Sequence, residues 1–367
     1  MRFEISREAL LRPLGRIVGV VERRQSLPVL TNLLLEADEN GLRLVTTDLE
    51  VEVQARTEAE GIEAGRITLP ARKLHDICRS LPEQAMLKVA LTGDRVSIRA
   101  GKSRFTLGTL PAEDFPLAAA LEAEDSVSLP ATALRELIEL THFSMAQQDV
   151  RYYLNGLMLE LGPTRLRSVA TDGHRLAVSE MSVDTNFDDI KQVIIPRKGV
   201  QELLKVLGDE TGDVELQFAS NHLAVEVGGF RMLTKLIEGR FPDYQKVIPE
   251  RSDHALVADR ESLRQALVRA SILSNEKYRG VRLRLEGQRL QVQAQNPEQE
   301  EAEEEVEIDF PGSAMEVGFN VTYLLDAINA VPATDVRIQL KDANSSCLIE
   351  HLDGEARCQY VIMPMRL

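Results

Sequence analysis

Cysteine is scarce. The 367-residue chain has only Cys78, Cys347 and Cys358, an odd number without close spacing, which argues against a disulfide framework and a structural zinc site. They read as reduced, structural thiols. No stretch approaches the roughly twenty apolar residues a membrane span needs, so an integral helical membrane protein is excluded. The opening MRFEISREALLRPLGR carries charge throughout and lacks the apolar stretch of a secretory signal, so a cytoplasmic location is expected. Also missing are GxxxxGK followed by serine or threonine, HExxH, GxSxG and any paired-cysteine motif. No cofactor and no metal site is expected. A hydrolase built on Asp172 and His174, or a metal site recruiting His142 or His222, is the competing reading. The Thr-Asp-Gly-His stretch is more simply an Asp-capped bend with glycine at a permissive backbone position, so no enzymatic activity is expected. An excess of positive charge is missing too: 43 Lys and Arg stand against 58 Asp and Glu, a net −15 that counts against tight electrostatic binding of phosphates.

What is present is repetition with a domain-sized period. A helical stripe at Leu10 and Leu14 recurs at Leu134 and Ile138, then at Leu263 and Leu267. Strands end at Thr47-Asp48, Thr171-Asp172 and Gln295-Asn296. A second stripe at Leu74, Cys78 and Leu81 returns as Val200, Leu204 and Leu207, and again as Leu324, Ile328 and Val331. Between the helices, Leu33, Leu35 and Ala37 followed by Leu42, Leu44 and Thr46 alternate as antiparallel strands joined at Glu39-Asn40-Gly41. The expected class is α+β: three tandem domains, residues 1–124, 125–247 and 248–367, each with two helix-plus-antiparallel-strand halves. Pro13 is expected to kink or shorten the first helix.

Similar units in head-to-tail contact form either a closed ring or a filament, and closure needs complementary ends. The three domains hold 17 basic against 19 acidic residues, 13 against 18, and 13 against 21. The acidity concentrates in NPEQEEAEEEVE, residues 296–307, with Glu300, Glu301, Glu303 and Glu304. The first domain carries Arg95, Arg99, Lys102 and Arg104 around Phe105 and Leu107, with Lys73 nearby. These ends can pair, with Phe105, Leu107, Ile272 and Leu273 supplying apolar burial; exposed ion pairs add only up to about 1 kcal/mol each and mainly select register. Such a pairing gives a homodimer interface. Arg7, Arg16, Arg24, Arg72, Lys73, Arg197, Lys198, Arg264 and Arg269 lie on or beside the helices and are candidates to line the hole of such a ring.

The segments ALLRPL, SLPVLTNLLLE, FSMAQQDVRYYLNG, ATDGHRLA, PRKGV, GRFPDY, ILSNEK, NPEQEEAEE and the terminal MPMRL resemble, in order and over all three domains, the bacterial DNA polymerase III beta subunit family of sliding clamps. The resemblance implies a head-to-tail homodimeric ring with helices inside and sheets outside, which encircles duplex DNA independently of sequence. Its DNA contacts would fall on Arg24, Gln148, Tyr152 and Tyr153, with Arg72, Arg197 and Lys198 as further candidates. Its partner-peptide pocket would fall on Leu154, Thr171, Gly173, His174, Arg175, Leu176, Pro242, Val247, Ser346, Val361, Met363, Pro364, Met365 and Arg366. The implied partners are the polymerase III catalytic subunit, the clamp loader, other polymerases and repair proteins, each through a short clamp-binding peptide. Asn344 stands where relatives are expected to carry an aliphatic residue. A scaffold that binds no nucleic acid is the remaining alternative.

Overall fold

A computed structural model describes residues 1–22, 27–185, 187–250, 255–351 and 356–366. One arrangement occurs six times along it, a leading strand, an α-helix and three further strands, with a short extra strand, Glu60–Glu63, after the first copy. The helices are α1 (Arg7–Ile17), α2 (Ala71–Ser80), α3 (Ala131–Glu139), α4 (Arg197–Leu207), α5 (Arg260–Ser271) and α6 (Val321–Ala330). The last residue of a leading strand often caps the helix it feeds. Ser6 Oγ accepts from the Ala9 amide, Asp259 from Ser262, and Asn320 from Thr322 and Tyr323, each satisfying amides that the first helical turn leaves free.

The two halves of each repeat exchange their leading strands. Arg2–Ser6 pairs with Met86–Thr92 of the second half, while Gly65–Pro70 pairs with Asn32–Asp38 of the first. The same exchange recurs in the second and third repeats. Among the described residues every strand pair is antiparallel.

Of the two outcomes expected of Pro13, a kink or a shortened helix, α1 is not shortened. The helix runs on to Ile17 and buries Leu10, Pro13, Leu14 and Ile17. Proline removes the amide that would bond the Ala9 carbonyl; Thr57 Oγ1 donates to that carbonyl at 3.0 Å instead. In α4 the buried stripe is Val200, Leu203, Val206 and Leu207, so Leu203 rather than Leu204 faces the core.

The chain forms two compact units, residues 1–135 with 198–236, and residues 136–197 with 237–367. The middle repeat contributes to both. The first unit holds a five-stranded sheet, ordered Glu60–Glu63, Arg2–Ser6, Met86–Thr92, Arg95–Ala100, Ser103–Gly108, and an eight-stranded sheet. In the latter, Phe230–Lys235 of the middle repeat pairs with Val51–Thr57 of the first, with Leu233 opposite Glu52. The second unit holds another eight-stranded sheet, in which Ala356–Ile362 of the last repeat pairs with Arg175–Ser182 of the middle one, with Val361 opposite Leu176. Its four-stranded sheet runs Glu301–Glu307, Arg289–Gln295, Gly280–Glu286, Met315–Asn320. Each eight-stranded sheet is therefore two half-repeats joined edge to edge.

Candidate functional site

The second unit gathers the residues expected of a peptide pocket. Thr171, Asp172, Gly173 and His174 form a tight turn between two strands. Asp172 Oδ1 accepts from the amides of His174 (2.9 Å) and Arg175 (3.0 Å), Thr171 Oγ1 donates to the Arg175 carbonyl (2.6 Å), and Gly173 adopts φ +88°. Asp172 Oδ2 holds Arg175 Nε at 3.1 Å, so both carboxylate oxygens are engaged in the turn. Among the described residues no group of three or more His, Cys, Asp or Glu side chains is placed to hold a metal ion.

Arg175 is locked from several sides. Its guanidinium pairs with Asp326 at 2.5 Å, donates to the Phe143 carbonyl at 2.7 Å, and lies 4.4 Å above the Tyr323 ring and 5.6 Å from that of Phe143. Sequence reasoning singled out Arg175 but missed Asp326, Tyr323 and Phe143. They come from a distant helix and a short 3-10 turn, and no local motif links them.

The tail closes the site. The Met363 amide donates to the His174 carbonyl (2.9 Å) and the Met365 amide to the Gly318 carbonyl (2.8 Å). Leu176 and Val361 belong to an apolar cluster with Met158, Val178, Phe241 and Tyr244; Leu154 is buried as well, while Pro242, Val247 and Met363 remain open to solvent. The result is a floor of aliphatic and aromatic groups with the flexible Met363 and the stiffer Val247 at its rim, suited to anchoring apolar side chains. Gly173, His174 and Arg366 are exposed, and Ser346 and Pro364 half-buried. Asn344 lies in an exposed turn, its amide donating to Asp342 Oδ1 at 2.8 Å.

Next to the turn, the loop at Gln148 to Tyr153 carries four expected or adjacent groups. Gln148 has φ +57°, Val150 is 96% exposed, Tyr152 is 58% exposed, and the Tyr152 and Tyr153 rings meet edge to face at 5.8 Å. Arg151 pins the loop to the turn, bonding Asp149 at 3.0 and 2.9 Å and the Asp172 carbonyl at 3.3 Å. The Arg151 hydrogen bonds hold the Asp149 carboxyl down at about 2.

The other basic candidates are differently employed. Arg24 lies outside the described residues. Arg72 donates to the Val21 carbonyl, Arg197 to the Met145 carbonyl (3.0 Å), and Lys198 pairs with Glu22 (2.7 Å) and Asp48. Burial opposes the Lys198 charge, yet those two carboxylates hold its pKa above the ordinary value. Arg7 reaches the Cys78 carbonyl, Arg16 pairs with Asp209 and Glu210, and Arg264 with Glu261. The ion pairs of Lys198, Arg16 and Arg264 reduce the charge they present to a phosphate, whereas the carbonyl bonds of Arg72, Arg197 and Arg7 hold those guanidinium groups against the backbone. Cys78 and Cys347 are buried free thiols, pushed up to about 12 by desolvation.

Of the expected interface residues, Arg104, Phe105 and Leu107 sit on one outer strand and Glu301, Glu303 and Glu304 on another; Arg95 and Arg99 lie on the strand next to the first, Lys73 in α2, and Ile272 and Leu273 just after α5. Ser103–Gly108 is the outer strand of the five-stranded sheet and Glu301–Glu307 that of the four-stranded sheet. Among the described residues, Arg95, Arg99, Lys102 and Arg104 have no carboxylate within 4.0 Å, and Lys73 is exposed. Phe105 is half-buried and Leu107 buried. Glu300 and Glu301 accept from Asn296 and Gln295, and Glu303 from Gln291, whereas Glu304 is already paired with Arg269 at 2.8 and 2.6 Å. Ile272, at the end of α5, is 72% exposed, and Leu273 half-buried.

Sixfold repetition of strand, helix and three strands, with half-repeats fused edge to edge into shared sheets, defines the sliding-clamp class of three-domain proteins. Sequence profiles agree over nearly the whole chain: the DNA polymerase III beta subunit N-terminal domain matches residues 1–119, the central domain 128–243 and the C-terminal domain 245–366. The beta sliding clamps of Pseudomonas putida and Escherichia coli strain K12 are 50% and 48% identical to it, over 100% of each chain. A crystal structure of the DNA polymerase III subunit beta from Pseudomonas aeruginosa, 49% identical, superposes with a TM-score of 0.93 over 100% of both chains. The chain belongs to the DNA polymerase III beta subunit family, and its function is that of a DNA sliding clamp in replication. Among the described residues no helix is long and apolar enough to cross a membrane.

Proposed function

We propose that two copies of this chain close head to tail around duplex DNA, Ser103–Gly108 of each adding to Glu301–Glu307 of the other, and act without catalytic residues in the cytoplasm. The observation that carries this reading is the pair of seams within the chain. The strand that ends the middle repeat pairs with the first repeat, and the strand that ends the last repeat pairs with the middle one. The equivalent strands left without such a partner are the outer strands Ser103–Gly108, beside the basic cluster of Arg95, Arg99, Lys102 and Arg104, and the glutamate-rich Glu301–Glu307. Within the hairpins, Glu301 opposite Gln295 occupies the position of Glu52 opposite Thr47 and of Leu176 opposite Thr171. Carrying the seam register over sets Thr106 opposite Glu301 and Arg104 opposite Glu303. The domain divisions at 124 and 247 follow the same repeat.

Topological linkage explains how a chain of net charge −15 serves DNA: encirclement retains the duplex without many phosphate contacts. Arg24, Gln148, Tyr152 and Tyr153 are the contacts this reading favours. The salt-bridged state of Lys198 and the carbonyl bonds of Arg72 and Arg197 leave them a lesser part. The groove between the Thr171–Leu176 turn and Met363–Arg366 takes a short peptide from the polymerase III catalytic subunit, the clamp loader and other polymerase or repair partners, its apolar side chains lodged against Leu176 and Val361.

Retention tests the ring. Loaded protein is expected to stay on nicked circular DNA and to run off after linearisation; equal retention on both forms refutes encirclement. Met365→Ala tests the groove: a folded variant with unchanged affinity for a clamp-binding peptide refutes that assignment.

A further inference from the structure

We propose that Arg167 is a positioning residue for the peptide groove: through the Tyr244 hydroxyl it keeps the wall at residues 241–248 from sinking into a cavity behind it, so that the groove stands open before a peptide arrives. This inference rests on the peptide reading given above. The wall carries Pro242 and Val247, both open to solvent at the rim, and buries Phe241 and Tyr244 against the sheet. The groove therefore takes its width from how this segment sits.

Sheet register carries the floor beneath the wall. Val178 and Gln359 stand opposite each other, each two residues along its strand from the opposed pair Leu176 and Val361, so all four side chains share one face. The groove floor thus runs on under the segment. There the packing is open: a cavity of about 290 Å³ lies between Tyr244, Gln245 and Ile248 of the wall and Val178, Glu180 and Gln359 of the sheet. A side chain over a void has no partner atoms on that side, so packing alone does not fix its height.

A polar tie spans the gap instead. Glu160, Arg167 and Glu180 stand opposite one another on three neighbouring strands. Arg167 Nη1 donates to Glu160 Oε1 at 3.1 Å and Nε to Glu180 Oε2 at 2.8 Å, and Nη1 also donates to the Tyr244 hydroxyl oxygen at 2.6 Å. The two carboxylates fix the planar guanidinium, and the guanidinium fixes the tyrosine. Among the described residues no other hydrogen bond joins 241–248 to the sheet. The Val247 amide donates within the segment, to the Tyr244 carbonyl at 3.0 Å, and Lys246 pairs with Asp243 at 2.8 Å. Val247 is thus hung from Tyr244, and Tyr244 from Arg167.

The test uses full-length protein and the clamp-binding segment of a polymerase III catalytic subunit. Tyr244→Phe removes the bond and keeps the ring; in fluorescence anisotropy it is expected to weaken the peptide about three- to tenfold, with the thermal transition little changed. Arg167→Lys keeps a cation between the carboxylates but loses the fork that reaches Tyr244, and is expected to match Tyr244→Phe, with the double variant no weaker than either. For the same peptide with its apolar anchor cut to alanine, Tyr244→Phe is expected to make no difference, whereas a general loosening of the fold would weaken both peptides alike. Val178→Ile adds a methyl group on the cavity side and is expected to restore most of the affinity lost in Tyr244→Phe. In wild-type protein, hydrogen exchange at the 243–248 amides is expected to be faster than in Arg165–Thr171 and to slow when the peptide binds. Unchanged affinity in Tyr244→Phe, an equal loss for both peptides, no recovery with Val178→Ile, or exchange at 243–248 indifferent to the peptide overturns this proposal and leaves the groove standing. Failure of the intact peptide to bind wild-type protein overturns both.

Discussion

Reversing Arg104 to glutamate sets like charges against each other at the register inferred for the seam, opposite Glu303. An exposed ion pair contributes up to about 1 kcal/mol, and repulsion between like charges directly across a strand pair is of similar size. The swing is then about 1–2 kcal/mol per seam. A ring of two chains has two seams, so one substitution counts twice, about 2–4 kcal/mol per dimer, or about 30- to 700-fold in the dimer dissociation constant. Sedimentation velocity over a dilution series measures this directly. The defect should shrink as the screening length falls from about 10 Å at 0.1 M salt to about 3 Å at 1 M. The decisive variant is R104E combined with E303R in the same chain, which restores the opposite-charge pair at both seams. Recovery of dimerisation by that pair, and not by R104E with E307R, supports Arg104 against Glu303. An unaffected R104E dimer, or equal rescue by either partner, refutes the register carried over from the two internal seams.

Ile272→Ala removes the apolar group most exposed at the end of α5, and at about 0.8 kcal/mol per buried methylene it should cost about 2 kcal/mol per seam. The expected readout is dissociation on dilution with the thermal stability of the isolated chain little changed. Thr57→Val strands the Ala9 carbonyl that Pro13 cannot bond; urea denaturation should show a loss of about 1–2 kcal/mol, and a neutral result removes that account of the intact helix. Asp149 has a folded pKa below its unfolded value. Its contribution is thus present above about pH 4, the unfolded carboxylate value, and lost as pH falls toward about 2. D149N should therefore lack the component of acid sensitivity that proton titration of Asp149 reports in this window, and an identical acid profile refutes the role of the Arg151 bond.

Repetition was the most legible property of the sequence, because hydrophobic period and strand ends survive duplication. Leu10 and Leu14, Leu263 and Leu267, and the strands ending at Thr47, Thr171 and Gln295 fall where pattern alone put them. The shortening expected at Pro13 does not occur because the compensating hydroxyl comes from Thr57, 44 positions on, and a local rule cannot see it. Leu204 misled by one position: Leu203 and Leu204 are chemically alike, and only packing chooses between them. Basic residues were the least legible class. Sequence gives charge but not partners, so Lys198 and Arg16 read like free cations until Asp48, Glu22, Asp209 and Glu210 are found beside them. The pocket followed from a resemblance over short segments. The residues that grip Arg175, namely Asp326, Tyr323 and Phe143, carry no signal of their own.

The two open sheet edges also bear on the life of the chain before it finds a second copy. A bare strand edge is a template for any extended segment, and Ser103–Gly108 and Glu301–Glu307 are both outer strands of open sheets. Here one edge gathers arginine and lysine and the other glutamate, so each repels its own kind while attracting the other. Stacking of like edges, the route to fibrous aggregates, is discouraged by the same side chains that make the correct neighbour welcome.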